Sequence, residues 1–213
     1  LRVIATDKVS RLLPTYLTDA TRQTLEVALK DFINNEKITQ DPFTPFKNEY
    51  FLQGDIVSNI PFPKWSNNQF ITANAARCII LSNTCDIDVN NSRDIPLDCL
   101  LAPVLSLEKY EILLLKKGIN QQKIESFIDN VKKYRITNLF YLPIDENGKY
   151  SPHGKGYIVS LDKAFSLPRQ ALDINQHIRS LNQFFSYLFS FQISVNLCRF
   201  HDKVDRDQNI CFS

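Results

Sequence analysis

"RCIILSNTCDID", Arg77 to Asp88, places a thiol, two hydroxyls and two carboxylates at the end of an apolar run. Three kinds of chemistry fit those residues. A nucleophilic Cys85 needs a base, usually an imidazole, and a third group to orient it. His153, His177 and His201 are the imidazoles that could supply one. A hard cation could sit on Asp86, Asp88 and a histidine, although such sites want more carboxylate oxygens than this stretch offers. The third reading is structural. Asp86 and Asp88 turn the chain after a strand, Ser82 and Thr84 bond local backbone amides, and Cys85 packs as a small apolar group. The third is favoured, because sequence brings neither a base nor a full ligand set to this stretch.

Two more places carry chemically able side chains. "LCRFHDKVDR", Leu197 to Arg206, puts Arg199 and His201 at the end of a helical pattern, where the helix dipole favours cations. His201 either ties that helix to the body of the protein or acts as an acid or base. Trp65, the only tryptophan, lies in a polar stretch. There it could stack a nucleic-acid base, anchor a protein partner or simply pack a loop.

The chain has 213 residues, 25 basic and 23 acidic, for a formal charge of +2. Such a balance gives no reason to expect a broad nucleic-acid or membrane surface. Five widely spaced cysteines, Cys78, Cys85, Cys99, Cys198 and Cys211, form no CxxC pair and no metal-ligand rhythm. Reduced thiols in a cytoplasmic protein are expected. No secretory leader and no apolar run of membrane-spanning length is read. Neither a metal nor a cofactor is expected.

The elements that position these residues follow from periodicity. "YLTDATRQTLEVALKDFINNEK", Tyr16 to Lys37, is a predicted helix capped by Thr18 or Asp19, with Leu25, Ala28, Leu29 and Phe32 on one face. "QDPFTPF" is an extended linker. A strand runs through "GDIVSNI" and ends at Pro61 and Pro63. "WSNNQFITANAA" reads as a polar loop, and "RCIILS" as a buried strand. "CLLAPVLSL", Cys99 to Leu107, is a third strand, expected to stop near Pro103. Residues 108–135 form two short helices split at Gly118. Asn147-Gly148 signals a hairpin between "LFYLPI" and "YIVSL". A last helix is expected over 173–200, with Ile174, Ile178, Leu181, Phe185 and Leu188 on one stripe.

"QGDIVSNIPF", then "RCIILSNTCDID", then "LLAPVLS", with a weaker likeness around "GYIVSLDKAFSLP", resembles the MazF/PemK-like proteins. The resemblance covers about Phe51 to Ser106 and implies an SH3-like curved antiparallel sheet or half-open barrel. Here that barrel would occupy 46–213, behind an N-terminal helical appendage and linker over 1–45. The family also implies ribonucleolytic cleavage of single-stranded RNA and an antitoxin partner. Its catalytic arginine maps to Arg77 and its hydroxyl to Ser106. "PKWSNNQFITANAA" stands where the family has a glycine-rich loop.

Two functions follow. The first is a partner-binding, toxin-like protein of a bacterial defence or toxin–antitoxin pair, with weak or no catalysis. Trp65, Ser82, Thr84, Asp86 and His201 are its candidate binding residues. The second is an endoribonuclease that cleaves single-stranded RNA through Arg77 and Ser106. The absent glycine-rich loop and the near-neutral charge favour the first.

Overall fold

The computed structural model describes residues 18–35, 41–46, 48–88, 90–91, 94–95, 97–144 and 154–197. It is an α+β fold: a curled antiparallel sheet, half closed into a barrel, with helices before it, inserted in it and after it. The strands are β1 (Phe43–Thr44), β2 (Ile56–Ser66), β3 (Gln69–Ile80), β4 (Asp98–Ser106), β5 (Leu139–Leu142), β6 (Tyr157–Ser160), β7 (Phe165–Pro168) and β8 (His177–Leu181). They pair in the order β1-β8-β2-β3-β4-β6-β5, and β7 also pairs with β4. The helices are α1 (Asp19–Asn35), the single turn α2 (Thr84–Ile87), α3 (Leu107–Lys116), α4 (Gln121–Lys132) and α5 (Gln183–Leu197).

"GDIV" is explained by a turn. Gly54 has φ +89°, a conformation that glycine adopts without strain. The Asp55 carboxylate reaches back to accept the Leu52 N–H at 2.8 Å. Ile56 and Val57 then enter the core, almost fully buried. α5 lays Phe185, Leu188 and Phe189 against Phe140, Val159 and Ile79 of the sheet, and α1 packs Leu25 onto the same cluster. The inserted helices split where glycine was expected to split them. Gly118, with φ +77°, closes α3, and Asn120 caps α4 by accepting the Gln122 N–H at 2.8 Å. Ile124, Ile128 and Val131 of α4 then bury against Leu107, Leu139 and Ile158.

Four expected boundaries are corrected. The strand through "GDIVSNI" does not end at Pro61 and Pro63 but runs on to Ser66. "WSNNQFITANAA" is not a loop. β2 and β3 continue through it as a long hairpin, turned by Asn67 and Asn68 with φ 50° and 59°. That is the two-residue turn whose backbone twist matches the strands, and asparagine tolerates it better than most residues. β4 does not stop at Pro103. On one side Pro103 pairs with Cys78. On the other side β4's partner changes there from β7, which ends at Leu101, to β6, which begins at Val104. The missing proline N–H falls in that gap and costs no ladder bond. Nor is 173–200 one helix: a short 3-10 turn at Ile174–Gln176 leads into β8, and α5 starts only at Gln183. Ile178 and Leu181 therefore bury from a strand, while Phe185 and Leu188 bury from the helix. β5 and β6 pair as the two arms of a hairpin should. The Asn147-Gly148 turn lies outside the described residues.

Candidate functional site

Strand register brings Arg77 and Ser106 together. Cys78 pairs with Pro103, so Arg77 falls opposite Val104. Val104 pairs with Val159 and Ser106 with Tyr157. Alternate residues of a strand share a face, so Arg77, Val104, Ser106 and Tyr157 face one way. α3 starts immediately after Ser106 and completes the wall. The result is an open groove of about 670 Å³, lined by Arg77, Ser106, Tyr157 and, from α3, Glu108, Lys109 and Tyr110. Arg77 Nη1 makes a long contact of 3.5 Å to the Tyr157 hydroxyl. Ser106 caps α3, its Oγ accepting the Lys109 N–H at 3.3 Å.

The groove joins two cations, one carboxylate, two phenol rings and the positive end of a helix. A guanidinium is suited to two phosphate oxygens at once, and tyrosine rings offer stacking faces to bases. Cleavage of an RNA strand also needs a base at the 2′-hydroxyl and a donor at the leaving oxygen. Glu108 and Lys109 are side chains of the right type. Sequence reasoning missed Tyr157, Glu108, Lys109 and Tyr110. Only the pairing of Ser106 with Tyr157 reveals the first, and only the placement of α3 reveals the others.

The "SNTCDID" stretch lies elsewhere, and its two hydroxyls hydrogen-bond to other parts of the fold. Ser82 Oγ accepts the Leu100 N–H at 2.8 Å, and Thr84 Oγ1 accepts the Gln53 N–H at 3.1 Å. Their partners are distant in sequence, not local as expected. Gln53 also donates to the Leu81 carbonyl at 2.7 Å and accepts from Ser190 Oγ of α5 at 3.0 Å. The "QGD" and "SNTCD" motifs therefore lock onto each other and onto the last helix. Asp86 sits in α2 and Asp88 follows it, where its carboxylate accepts the Asn90 N–H. Cys85 is exposed rather than packed. Burial pushes the Cys78 thiol up to about 12 and raises Cys99 as well. Among the described residues, no three His, Cys, Asp or Glu side chains gather as a metal site requires. His153 and His201 lie outside the described residues. Trp65 is in β2, near the tip of the hairpin, and exposed.

His177 does meet a carboxylate and a hydroxyl, but not as a catalytic relay. Its Nε2 lies 3.0 Å from Ser180 Oγ and 3.6 Å from Asp55 Oδ2. A relay needs the carboxylate on one ring nitrogen and the nucleophile on the other. Asp55, Ser180 and the His177 ring are also buried, so the cluster straps β8 to the start of β2. Burial raises the Asp55 carboxyl above its ordinary 3.8, opposed by the Leu52 N–H bond and by the nearby Ser180 hydroxyl and His177 ring. The native state thus holds the Asp55 proton more tightly than the unfolded chain does. This contribution is present in full below pH 3.8 and is lost as pH rises through the raised value. Asp55→Asn keeps a carbonyl oxygen for the Leu52 N–H and removes the titration. Urea midpoints of the variant should fall less steeply, or rise more, than wild type from pH 4 upward. Parallel curves would mean that Asp55 titrates alike in both states.

No protein-family profile matches the chain. A search of curated proteins returns no match. Among the described residues no helix is long and apolar enough to cross a membrane.

Proposed function

We propose that the chain is a MazF/PemK-like, toxin-type member of a bacterial defence or toxin–antitoxin pair. It works in the cytoplasm with a protein partner, grips single-stranded RNA in the Arg77 groove, and turns that RNA over slowly or not at all. One observation carries this reading: Arg77 and Ser106, far apart in sequence, line one groove with Tyr157. The groove has the cation and stacking surfaces for a phosphodiester strand. Its serine is already engaged in capping α3, which argues for binding over rapid turnover.

The second reading, an endoribonuclease, is favoured by Glu108 and Lys109 beside Arg77. Glu108 would take the 2′-hydroxyl proton as the 2′-oxygen attacks phosphorus. Lys109 would protonate the departing 5′-oxygen, leaving a 2′,3′-cyclic phosphate. Incubating end-labelled, mixed-sequence single-stranded RNA with purified protein separates the two. The first reading expects RNA retained on the protein and uncut. Rapid cleavage to cyclic-phosphate ends would replace it with the second, and RNA neither retained nor cut would defeat both.

A further inference from the structure

Beyond Ile60 the β2–β3 hairpin leaves the sheet. β8 pairs with β2 only at Ile56 and Val57, and β4 pairs with β3 only at Cys78, Ile79 and Ile80. β2 and β3 pair with each other out to Ser66 and Gln69. The outer part is a two-stranded arm whose edges no described strand covers. Phe62 steadies it with an edge-on contact to Phe165 of β7, centroids 5.2 Å apart. Further out, Trp65 and Phe70 contact each other edge-on at 4.8 Å, yet are 59% and 75% exposed.

The two edges of the arm are not equivalent. A two-residue turn makes Ser66 and Gln69 a hydrogen-bonded pair, and hydrogen-bonded and non-hydrogen-bonded pairs alternate from there. Lys64 and Phe62 therefore point their N–H groups at β3, while positions 65, 63 and 61 point outward. Pro61 and Pro63 occupy outward positions. They remove two donors from the outer edge of β2 without weakening the arm, a device that blocks strand addition. β3 carries no proline from Gln69 to Arg77. Phe70 and Thr72 present their N–H and C=O groups outward there, and Gln69 to Thr72 are exposed. One edge is blunted and the other is left open.

We propose that the open edge of β3 binds an extended segment of a protein partner, which adds to the arm as a further strand of about five residues. The side chains define that segment. Lys64 and Ile71 share one face, and Trp65, Phe70 and Thr72 share the other. No Asp or Glu lies between Asp55 and Asp86. An alternation of acidic and apolar residues suits the arm, with apolar groups beside Phe70 and Trp65 and acids on the other face, reaching across Ile71 of β3 to Lys64 of β2. Nucleic acid is the poorer occupant, because strand binding takes a cationic groove and Lys64 is the only charge between Ile60 and Ala76. The inference names the partner class of the pair proposed above, but its test does not depend on RNA binding.

Trp65 is the only tryptophan, so its fluorescence reports on the arm directly. The probe is a synthetic ten-residue peptide of alternating valine and glutamate, with oligouridine RNA as the rival. The expected result is a saturable shift with the peptide and none with the RNA. Thr72→Pro removes an outward N–H without touching the β2–β3 ladder, and should weaken the peptide about tenfold or more, the effect of one lost backbone bond. N-methylating the peptide at successive positions against wild type should abolish binding at every second position only. That series also decides the matter if Thr72→Pro fails to fold. No saturable shift, a shift with RNA instead, or binding indifferent to Thr72→Pro and to N-methylation would overturn the proposal. So would a self-associated protein that Thr72→Pro makes monomeric, because a second copy would then fill the edge.

Discussion

Phe185→Ala should cost ~3–5 kcal/mol of stability, the usual range for a fully buried phenylalanine. Phe185 has no solvent exposure and lies in the cluster that joins α5 to the sheet. Its ring meets Phe184 edge-on at 5.4 Å. Leu188 and Phe189, one turn on, are buried in the same cluster. The close-packed surroundings cannot collapse fully into the hole, so the loss combines apolar transfer with a cavity. A urea titration measures it. A loss below about 1 kcal/mol would mean that α5 is held to the sheet by something other than this face.

Gly156→Ala should cost nearly as much, by a different route. Gly156 has φ +91°, which side chains with a Cβ adopt only under strain. An added Cβ would lie 2.5 Å from the Leu142 carbonyl oxygen and 2.9 Å from Tyr141 Cε2. Backbone strain of ~1–2 kcal/mol adds to overpacking of ~1–3 kcal/mol. Gly156 also accepts the Leu107 N–H at 3.0 Å, tying the start of α3 to the strand that carries Tyr157. The variant should therefore lose RNA affinity together with stability. Calorimetry beside a binding titration checks this. Unchanged unfolding would show that β5 and the Gly156 turn part easily.

How much of this was legible in the sequence depended on whether the signal was local. Gly54, Gly118 and the apolar run at Cys78–Leu81 mark their own conformations, so the core of the sheet and the split insertion could be read directly. The hairpin arm was hidden because its turn is Asn67-Asn68 rather than an asparagine–glycine pair, and because polar residues on an exposed ribbon look like a loop. β8 was hidden because Ile174, Ile178, Leu181 and Phe185 fit a helical period even though a strand and a helix share them. Arg77 and Ser106 were found only through a resemblance. Their companions Tyr157 and Lys109 depend on cross-strand register and on the direction of α3, and neither has a local sequence signal. "SNTCDID" reads as a local turn, yet its hydroxyls bond amides that only the tertiary fold brings near.

The central claim is that the Arg77 groove holds a phosphodiester strand. Fluorescence anisotropy of a labelled single-stranded RNA, titrated with wild type and Arg77→Ala across a series of salt concentrations, tests it most directly. The expected result is affinity reduced about tenfold or more, as befits a lost charge-assisted phosphate contact. The slope of log affinity against log salt should also become shallower by about 0.7, the value of one single-strand phosphate contact. Equal affinity and equal slope for the two proteins would contradict the claim, and would place any RNA away from Arg77.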